Sequence, residues 1–167
     1  MSNVACIEIS DVEIPNLAKL ASEIWHEYWV GKISDEQIDY MLEKFQSVAA
    51  ISEQIKNENY TYFFIKCNSE IAGYVALSKK EDYLFLSKIY IKKEFRRIGI
   101  GAWAFEFVKK FALDNNYKNV RLTVNKYNIN SINAYKKWGF RIVDAIVTDI
   151  GGGFVMDDYV MEYCFIN

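Results

Sequence analysis

The hydrophobic and polar positions of this chain switch several times between the period of a helix and the period of a strand. A helical period covers the segment after Pro15, and it recurs after Ser34, over Ser47–Asn57 and after Gly99. The last of these segments has apolar residues at i, i+3, i+4, i+7, i+8 and i+11, namely Ile100, Trp103, Ala104, Phe107, Val108 and Phe111. These spacings predict amphipathic helices, each with one face against a sheet.

Strand-forming residues fill the segments between these helices. Tyr60–Lys66 and Ile71–Lys79 flank a short polar turn and predict a hairpin, which Tyr83–Ile91 follows. Four more strands are predicted, over Ala5–Ile9, Val120–Val124, Phe140–Ile150, and Val155 or Tyr159 to Phe165. A short helix is predicted from Asn128 or Asn130 to Trp138. Apart from the segment over Ser47–Asn57, the order is β-α-α-β-β-β-α-β-α-β-β, which predicts an α/β fold with a mixed sheet and helices on both faces.

Composition narrows the class of protein. The 167 residues are 51% apolar, and we expect one folded domain over residues 1–167, without repeats or linkers. The net charge of −2 argues against a general binder of nucleic acid or of anionic membranes. The cysteines Cys6, Cys67 and Cys164 are far apart and show no metal-ligand spacing, so reduced thiols, no metal and a cytoplasmic location are expected. Residues 1–6 lack the features of a signal peptide, and no apolar run reaches transmembrane length.

A turn rich in amide donors joins the strand that ends at Ile91 to the helix that starts near Ile100. It reads Arg96-Arg97-Ile98-Gly99-Ile100-Gly101. The two glycines allow a ligand to approach the backbone, and the first helical turn offers N–H groups at the positive end of the helix dipole. Two arginines add positive charge. The turn therefore predicts a pyrophosphate site.

Two common phosphate loops do not fit this turn. A Walker A loop requires Lys and then Ser or Thr after its last glycine, but Gly101 is followed by Ala102 and Trp103. A dinucleotide-binding turn accepts Ala104 in its third glycine position. However, the present turn follows several earlier strands, and no acidic residue ends a strand at the required distance. Neither context is present.

The pattern that remains is Arg/Gln-x-x-Gly-x-Gly/Ala, and a second block stands downstream over residues 128–140. That block, NINSINAYKKWGF, is similar to Asn-x-x-Ala-x-x-x-Tyr-x-x-x-Gly-Phe, with Ser131 in the place of the small residue. Together the two blocks resemble the GNAT-type N-acetyltransferases. The resemblance implies the acyl-CoA N-acyltransferase fold, which is a mixed, mostly antiparallel seven-stranded sheet in a three-layer αβα sandwich. It also implies that acetyl-CoA is the acyl donor.

The resemblance carries site roles to matching positions of this chain. Pantetheine would bond to the strand backbone between two splayed parallel strands, here those ending at Ile91 and Val124, and Tyr135 matches the general acid that protonates the departing thiolate. Tyr135 also suits an anchor between helix and sheet, and Asn128 equally suits a plain helix cap. The implied cofactor-binding residues are Ile89, Tyr90, Ile91, Arg96, Arg97, Ile98, Gly99, Ile100, Gly101, Ala102, Asn128, Ser131 and Lys137.

The acceptor end is expected between the first helices and the last hairpin. Trp25, Glu27, Tyr28 and Asp157 supply aromatic faces and carboxylates, which suit a cationic amine. The hairpin over residues 149–163 resembles the ending of the bacterial polyamine acetyltransferase branch. The expected function is transfer of an acetyl group from acetyl-CoA to a small primary amine by direct attack in a ternary complex, with polyamines favoured and a homodimer possible.

No carboxylate stands on the strand that ends at Ile91, where many relatives place a glutamate as general base. The candidates for a base are His26, Glu27, Glu81, Asp82, Asp157 and Asp158, or a chain of water molecules. A non-catalytic acyl-CoA-binding module therefore stays an alternative. A peptide or protein N-acetyltransferase is another, which an open groove between the Trp25 helix and the last hairpin would favour and a closed pocket would disfavour.

Overall fold

The structure, a computed structural model, describes residues 3–165. Met1 and Ser2, part of the N-terminal stretch in which no signal peptide is expected, lie outside the described residues, as do Ile166 and Asn167. No helix within residues 3–165 has the length and apolar composition needed to cross a membrane.

Within residues 3–165, seven strands form one sheet. They are β1 (Val4–Glu8), β2 (Tyr60–Cys67), β3 (Glu70–Lys79), β4 (Leu84–Ile91), β5 (Asn119–Asn125), β6 (Arg141–Gly151) and β7 (Phe154–Cys164). Their order across the sheet is β1-β2-β3-β4-β5-β7-β6. Every neighbouring pair is antiparallel except β4 and β5, which are parallel. The predicted mixed, mostly antiparallel sheet is confirmed.

Five α-helices in the described part of the chain cover the two faces of the sheet. They are α1 (Ile14–Trp29), α2 (Asp35–Gln46), α3 (Val48–Asn57), α4 (Ile100–Asp114) and α5 (Ile129–Lys137). One core lies between α1–α3 and the sheet, and includes Leu17, Ile38 and Ile51. The other lies under α4 and α5, and includes Val108 and Ile132. The helix expected over Ser47–Asn57 forms as α3, because the Ser47 hydroxyl accepts a hydrogen bond from the Ala50 N–H and so caps it.

A buried chain of polar groups fixes α1, α2 and α3 to the sheet. The Trp25 indole donates to the Tyr74 hydroxyl (2.9 Å), which donates to the Gln46 amide oxygen (2.7 Å). The Gln46 amide nitrogen donates to the Tyr62 hydroxyl (3.0 Å), which donates to the Gln54 oxygen (2.5 Å). Each side chain of this network thus has a hydrogen-bond partner, so the network fixes the three helices without leaving one of its own members unpaired.

The hairpin of β6 and β7 closes against α2. Its three glycines, residues 151–153, all have left-handed φ values of 63–86°. The Tyr40 hydroxyl and the Lys44 ammonium both donate to the Ile150 carbonyl, at 2.8 and 2.5 Å, and the Gln37 amide donates to the Val155 carbonyl at 3.2 Å. The hairpin is therefore fixed to the helix that begins the acceptor side of the fold.

Candidate active site

The two parallel strands separate soon after they start. Hydrogen-bonded register between β4 and β5 covers only Leu84 with Val120 and Phe85 with Arg121. The pairing of β4 with β3 also shifts at Ser87, since Leu86 faces Leu77 and Lys88 faces Ala76. The backbone edge of β4 from residue 87 to residue 91 consequently has no strand partner on the β5 side. An extended chain can bond to such an edge as an added strand does.

A cavity of about 790 Å³ occupies the opening between these strands and continues towards α1 and α2. Twelve of the residues predicted for the site line it: Trp25, Glu27, Tyr28, Ile89, Tyr90, Ile91, Arg96, Arg97, Gly101, Asn128, Ser131 and Tyr135. Six others do not: Ile98, Gly99, Ile100, Ala102, Lys137 and Asp157. The structure thus brings the strand, turn and helix residues together in one place.

The glycine turn presents unpaired backbone donors at the mouth of this cavity. Arg97 and Gly99 both have left-handed φ values, 66° and 89°, which turn successive N–H groups outwards. The first hydrogen bond of α4 is donated by the Trp103 N–H to the Gly99 carbonyl, so the three N–H groups over residues 100–102 precede it. A Cβ built on Gly99 would meet no atom within 4 Å. The turn is open to an anion, while the side chain of Ile100 is buried beneath it.

Arg96 is held by a partner within the chain rather than left free for a phosphate. Its two terminal nitrogens donate to the two carboxylate oxygens of Glu27, at 2.6 and 3.0 Å. Its Nε donates to the Ile91 carbonyl at 2.9 Å. This fork-to-fork pair joins α1 to the end of β4. Arg97, which is exposed beside the turn, is the arginine that remains available to a phosphate.

Tyr28, predicted to bind the acceptor amine, is already engaged by other residues of this chain. Its hydroxyl donates to the Asn128 amide oxygen (2.7 Å) and lies 2.9 Å from the Ser131 hydroxyl, which ties α1 to the start of α5. The Lys32 ammonium lies 3.7 Å from the centre of its ring. Asn128 additionally caps α5, since its side chain accepts from the Ser131 N–H. The aromatic face expected to hold a cationic amine is therefore already covered by a cation of this chain.

Tyr135 lies on α5 and lines the cavity from the face of the sheet that α4 and α5 cover. Its ring is 5.5 Å from the Trp138 ring and 5.8 Å from the Phe140 ring, in edge-to-face contacts that fix its direction. Its hydroxyl makes no hydrogen bond to any of the residues 3–165. Burial raises the pKa of the Tyr135 phenol above its usual range, so the group keeps its proton at neutral pH. It is a proton donor without a protein acceptor.

The last hairpin places Asp158, and not Asp157, in the cavity wall. Asp157 is ion-paired with Lys126 at 2.8 Å and is absent from the lining. Asp158 is 4% exposed and lines the cavity. Neighbouring residues of a strand point to opposite faces, so only one of the two can face α1 and α2. Burial raises the pKa of the Asp158 carboxyl to about 6.

The remaining candidates for a base are engaged or lie elsewhere. His26 pairs with Asp39 at 2.7 Å on the solvent side of α1 and α2. Glu81 and Asp82 line a separate small cleft with residues 115–119. Glu27 is occupied by Arg96. Residues 3–165 contain no group of three or more His, Cys, Asp or Glu side chains that could hold a metal ion.

Two features of this site have no counterpart among the sequence predictions. Lys88 lines the cavity from β4, the strand on which the sequence shows no carboxylate. Burial lowers the pKa of its ammonium to about 8. The contacts of α2 with the last hairpin were also not expected. Asp158 within β7 and Lys88 within β4 are the signals that the sequence offers, but neither position gives the direction of the side chain.

Comparisons with known proteins place this geometry in a family. Residues 30–156 match the family described as the acetyltransferase (GNAT) domain, so the chain belongs to the GNAT acetyltransferases. It is 24% identical over 147 residues to an uncharacterised N-acetyltransferase of Lactobacillus delbrueckii subsp. lactis, with 83% of this chain and 85% of that protein covered. It is 26% identical over 155 residues to a spermidine N(1)-acetyltransferase of Thermoplasma acidophilum, with 90% and 92% covered.

The fold is that of solved GNAT structures. The crystal structure of the PaiA N-acetyltransferase from Thermoplasma acidophilum in complex with coenzyme A superposes with a TM-score of 0.81 at 21% identity, covering 98% of this chain and 99% of that one. The family and the fold that the two sequence blocks predicted are therefore confirmed.

Proposed function

We propose that this protein transfers the acetyl group of acetyl-CoA to a small primary amine, in a complex that holds both substrates at once. The observation that carries the proposal is the coincidence, in one cavity, of an unpaired strand edge and the free hydroxyl of Tyr135, beside an amide-rich turn that lines the cavity with Arg96, Arg97 and Gly101. These are the three parts that binding a coenzyme A thioester and protonating its sulfur require.

The described residues fit coenzyme A as the donor. The unpaired edge of β4 over residues 87–91 offers backbone groups to the pantetheine amides, and the Asn128 side chain lies across the opening from it. The N–H groups over residues 100–102 and Arg97 suit the diphosphate. Bound acetyl-CoA would supply the thioester whose acetyl group the amine accepts. Tyr135 would donate its proton to the leaving sulfur, which its raised pKa permits because the phenol stays protonated until that moment.

The closed hairpin supports a small acceptor over a peptide. An open groove between α1 and the turn over residues 151–153 would suit an extended chain. Instead, Tyr40 and Lys44 hold that turn through the Ile150 carbonyl, and the Tyr40 ring lies 5.2 Å from the ring of Phe154. These contacts close the hairpin against α2 and therefore support a small amine as the acceptor. A peptide stays the second candidate, through a side chain or terminus narrow enough to enter the cavity.

Polyamines are the finer proposal for the acceptor. Two observations support them: the distant relative named as a spermidine N(1)-acetyltransferase, and the likeness of residues 149–163 to the end of that branch. Asp158 supplies one carboxylate for a terminal ammonium. Lys32 and Lys88 line the same cavity with positive charge, so this pocket favours a single ammonium group inside it and further charges of the acceptor outside.

A continuous assay of coenzyme A release tests the proposal. The purified protein is given acetyl-CoA with spermidine, spermine, a monoamine of equal length or a lysine-containing peptide. We expect turnover of small amines well above that of the peptide, with spermidine above the monoamine if the finer proposal holds. No turnover of any amine would contradict the proposed function and would favour a binding module.

The variant Tyr135→Phe tests whether Tyr135 acts as a general acid or only anchors α5 to the sheet. The variant keeps the ring and its contacts with Trp138 and Phe140, and it removes only the hydroxyl. We expect kcat to fall by about 100-fold while calorimetry finds an unchanged affinity for coenzyme A. An unchanged kcat would show that the residue is only an anchor.

A further inference from the structure

The cavity wall beside Tyr90 carries two ionisable side chains to which the proposed function gives no part in the chemical step. They are Asp158 on β7 and Lys88 on β4, and both line the cavity. Asp158 is 4% exposed, and its carboxylate makes no hydrogen bond within the part of the chain that the structure describes. A buried carboxylate without a donor is costly unless a ligand or water completes it.

Strand register puts both side chains on the face of the sheet that α1–α3 cover. Lys88 and Tyr90 stand opposite Ala76 and Tyr74, and those two belong to the core under these helices. Tyr159 and Met161 pack in the other core, under α4 and α5, so Asp158 points to the face of α1–α3. The Asp158 carboxylate and the Lys88 ammonium therefore both face the acceptor half of the cavity.

We infer that Asp158 is the general base of the reaction and that the charge of Lys88 tunes its protonation; the inference rests on the proposed acetyl transfer. The Asp158 carboxylate takes a proton from the bound acceptor ammonium. One N–H bond breaks, one O–H bond forms on the carboxyl, and the electron pair stays on the nitrogen, which becomes the nucleophile. Asp158 then releases the proton to solvent.

The neighbouring charges make this transfer easier. A second cation beside the acceptor favours the neutral form of the amine, and Lys88 provides that cation. The Lys88 ammonium donates to the Ser87 carbonyl (3.2 Å) and hydroxyl (3.0 Å), and the Ser87 hydroxyl lies 3.0 Å from the Tyr60 hydroxyl. Lys88 is therefore held along its own strand and does not occupy the carboxylate.

The protonation of Asp158 depends on three neighbouring charges as well as on burial. Burial has the largest effect and raises its pKa, to about 6. Asp157 on the same strand raises it further, whereas Lys88 from β4 and Lys126 after β5 lower it. Tyr90, which also faces Asp158, stays neutral because burial raises its own pKa. Since the base must be ionised, activity is expected to fall as the pH drops through about 6.

The test compares the pH profiles of kcat/KM for three proteins on one amine that the natural protein turns over. We expect the natural protein to show an acidic limb near pH 6. Asp158→Asn should lower kcat by about 100-fold or more and abolish that limb. Lys88→Met, which removes the cation, should move the limb up by about one pH unit, an effect that loss of packing alone would not produce.

Two controls keep the outcomes separate. Asp144→Asn changes an exposed aspartate on β6 whose carboxylate accepts only from the Ala145 N–H, and it should leave the profile unchanged. Coenzyme A affinity, measured by calorimetry, should be the same in all variants and shows that each is folded. An Asp158→Asn variant that keeps both kcat and the acidic limb would overturn the inference while the proposed function stands. A natural protein without turnover would overturn the function itself.

Discussion

At the scale of single residues, the Arg96 guanidinium is the link between the two halves of the site. It holds Glu27 of α1 with two nitrogens and the Ile91 carbonyl of β4 with a third. Arginine suits this place because its fork matches a carboxylate in two bonds, and lysine cannot reproduce that geometry. Glu27 is thereby an orienting group for the strand end and not a free carboxylate for substrate.

A double-mutant cycle on this pair tests that role. Arg96→Gln and Glu27→Gln are measured singly and together by denaturant unfolding. Because the side chains are 28% and 37% exposed, the coupling is expected to be about 0.5–1 kcal/mol, well below that of a buried pair. The exposed pair of Lys110 and Asp114 is the matched control, with a coupling nearer zero. Additive effects at Arg96 and Glu27 would show that the two do not act together.

At this scale, the sequence alone does not decide which of two adjacent aspartates on β7 faces the cavity. Asp157 and Asp158 are adjacent and chemically identical, and the pattern of β7 allows either to face the cavity. Which of the two aspartates faces the cavity depends on the strand register. The pairing of β7 with β6 has two irregularities that shift this register, near Val143 and near Ile150. The role of Arg96 was likewise beyond reach, since its partner lies 69 positions away in the sequence.

At the scale of elements, β4 depends on a glycine in the neighbouring strand. Gly73 stands opposite Ile91, and a Cβ there would collide with the backbone carbonyl of Tyr90. No flexible side chain can move aside, so β3 or β4 must shift. The part of β4 that shifts is the part whose free edge is proposed to hold pantetheine.

Gly73→Ala should therefore damage stability and cofactor binding together. We expect the free energy of unfolding to fall by about 1–3 kcal/mol and the affinity for coenzyme A to fall several-fold. Gly31→Ala is the control: it places a Cβ on a left-handed backbone, with φ 78°, but that Cβ meets no atom within 4 Å, and Gly31 lies after α1. It should cost stability and leave coenzyme A affinity unchanged. Equal effects of both variants on that affinity would contradict the dependence of β4 on Gly73.

The elements themselves were largely predictable. The seven strands and the helical periods are local patterns, and caps such as Ser34 and Ser47 mark two helix starts in the sequence. Gln37 shows the limit: its place three residues after Ser34 is that of a capping-box partner, yet its side chain donates to the Val155 carbonyl on the last hairpin. Which polar groups join distant elements is decided by packing, which a local pattern does not contain.

At the scale of the whole molecule, the sheet separates two tasks. The side of α4 and α5 carries the amide-rich turn and Tyr135, while the side of α1–α3 carries Asp158, Lys88 and the closed hairpin. The cavity passes between β4 and β5 because these strands part, so groups from both sides face one space. An acetyl group and an amine that approach from opposite sides can meet there without a covalent enzyme intermediate.

The most direct test of this account is a crystal structure of the protein with coenzyme A. We expect the diphosphate on the N–H groups over residues 100–102, the pantetheine along the free edge of β4, and the sulfur within about 3–4 Å of the Tyr135 hydroxyl. A coenzyme bound elsewhere, or a sulfur separated from that hydroxyl by other side chains, would contradict it.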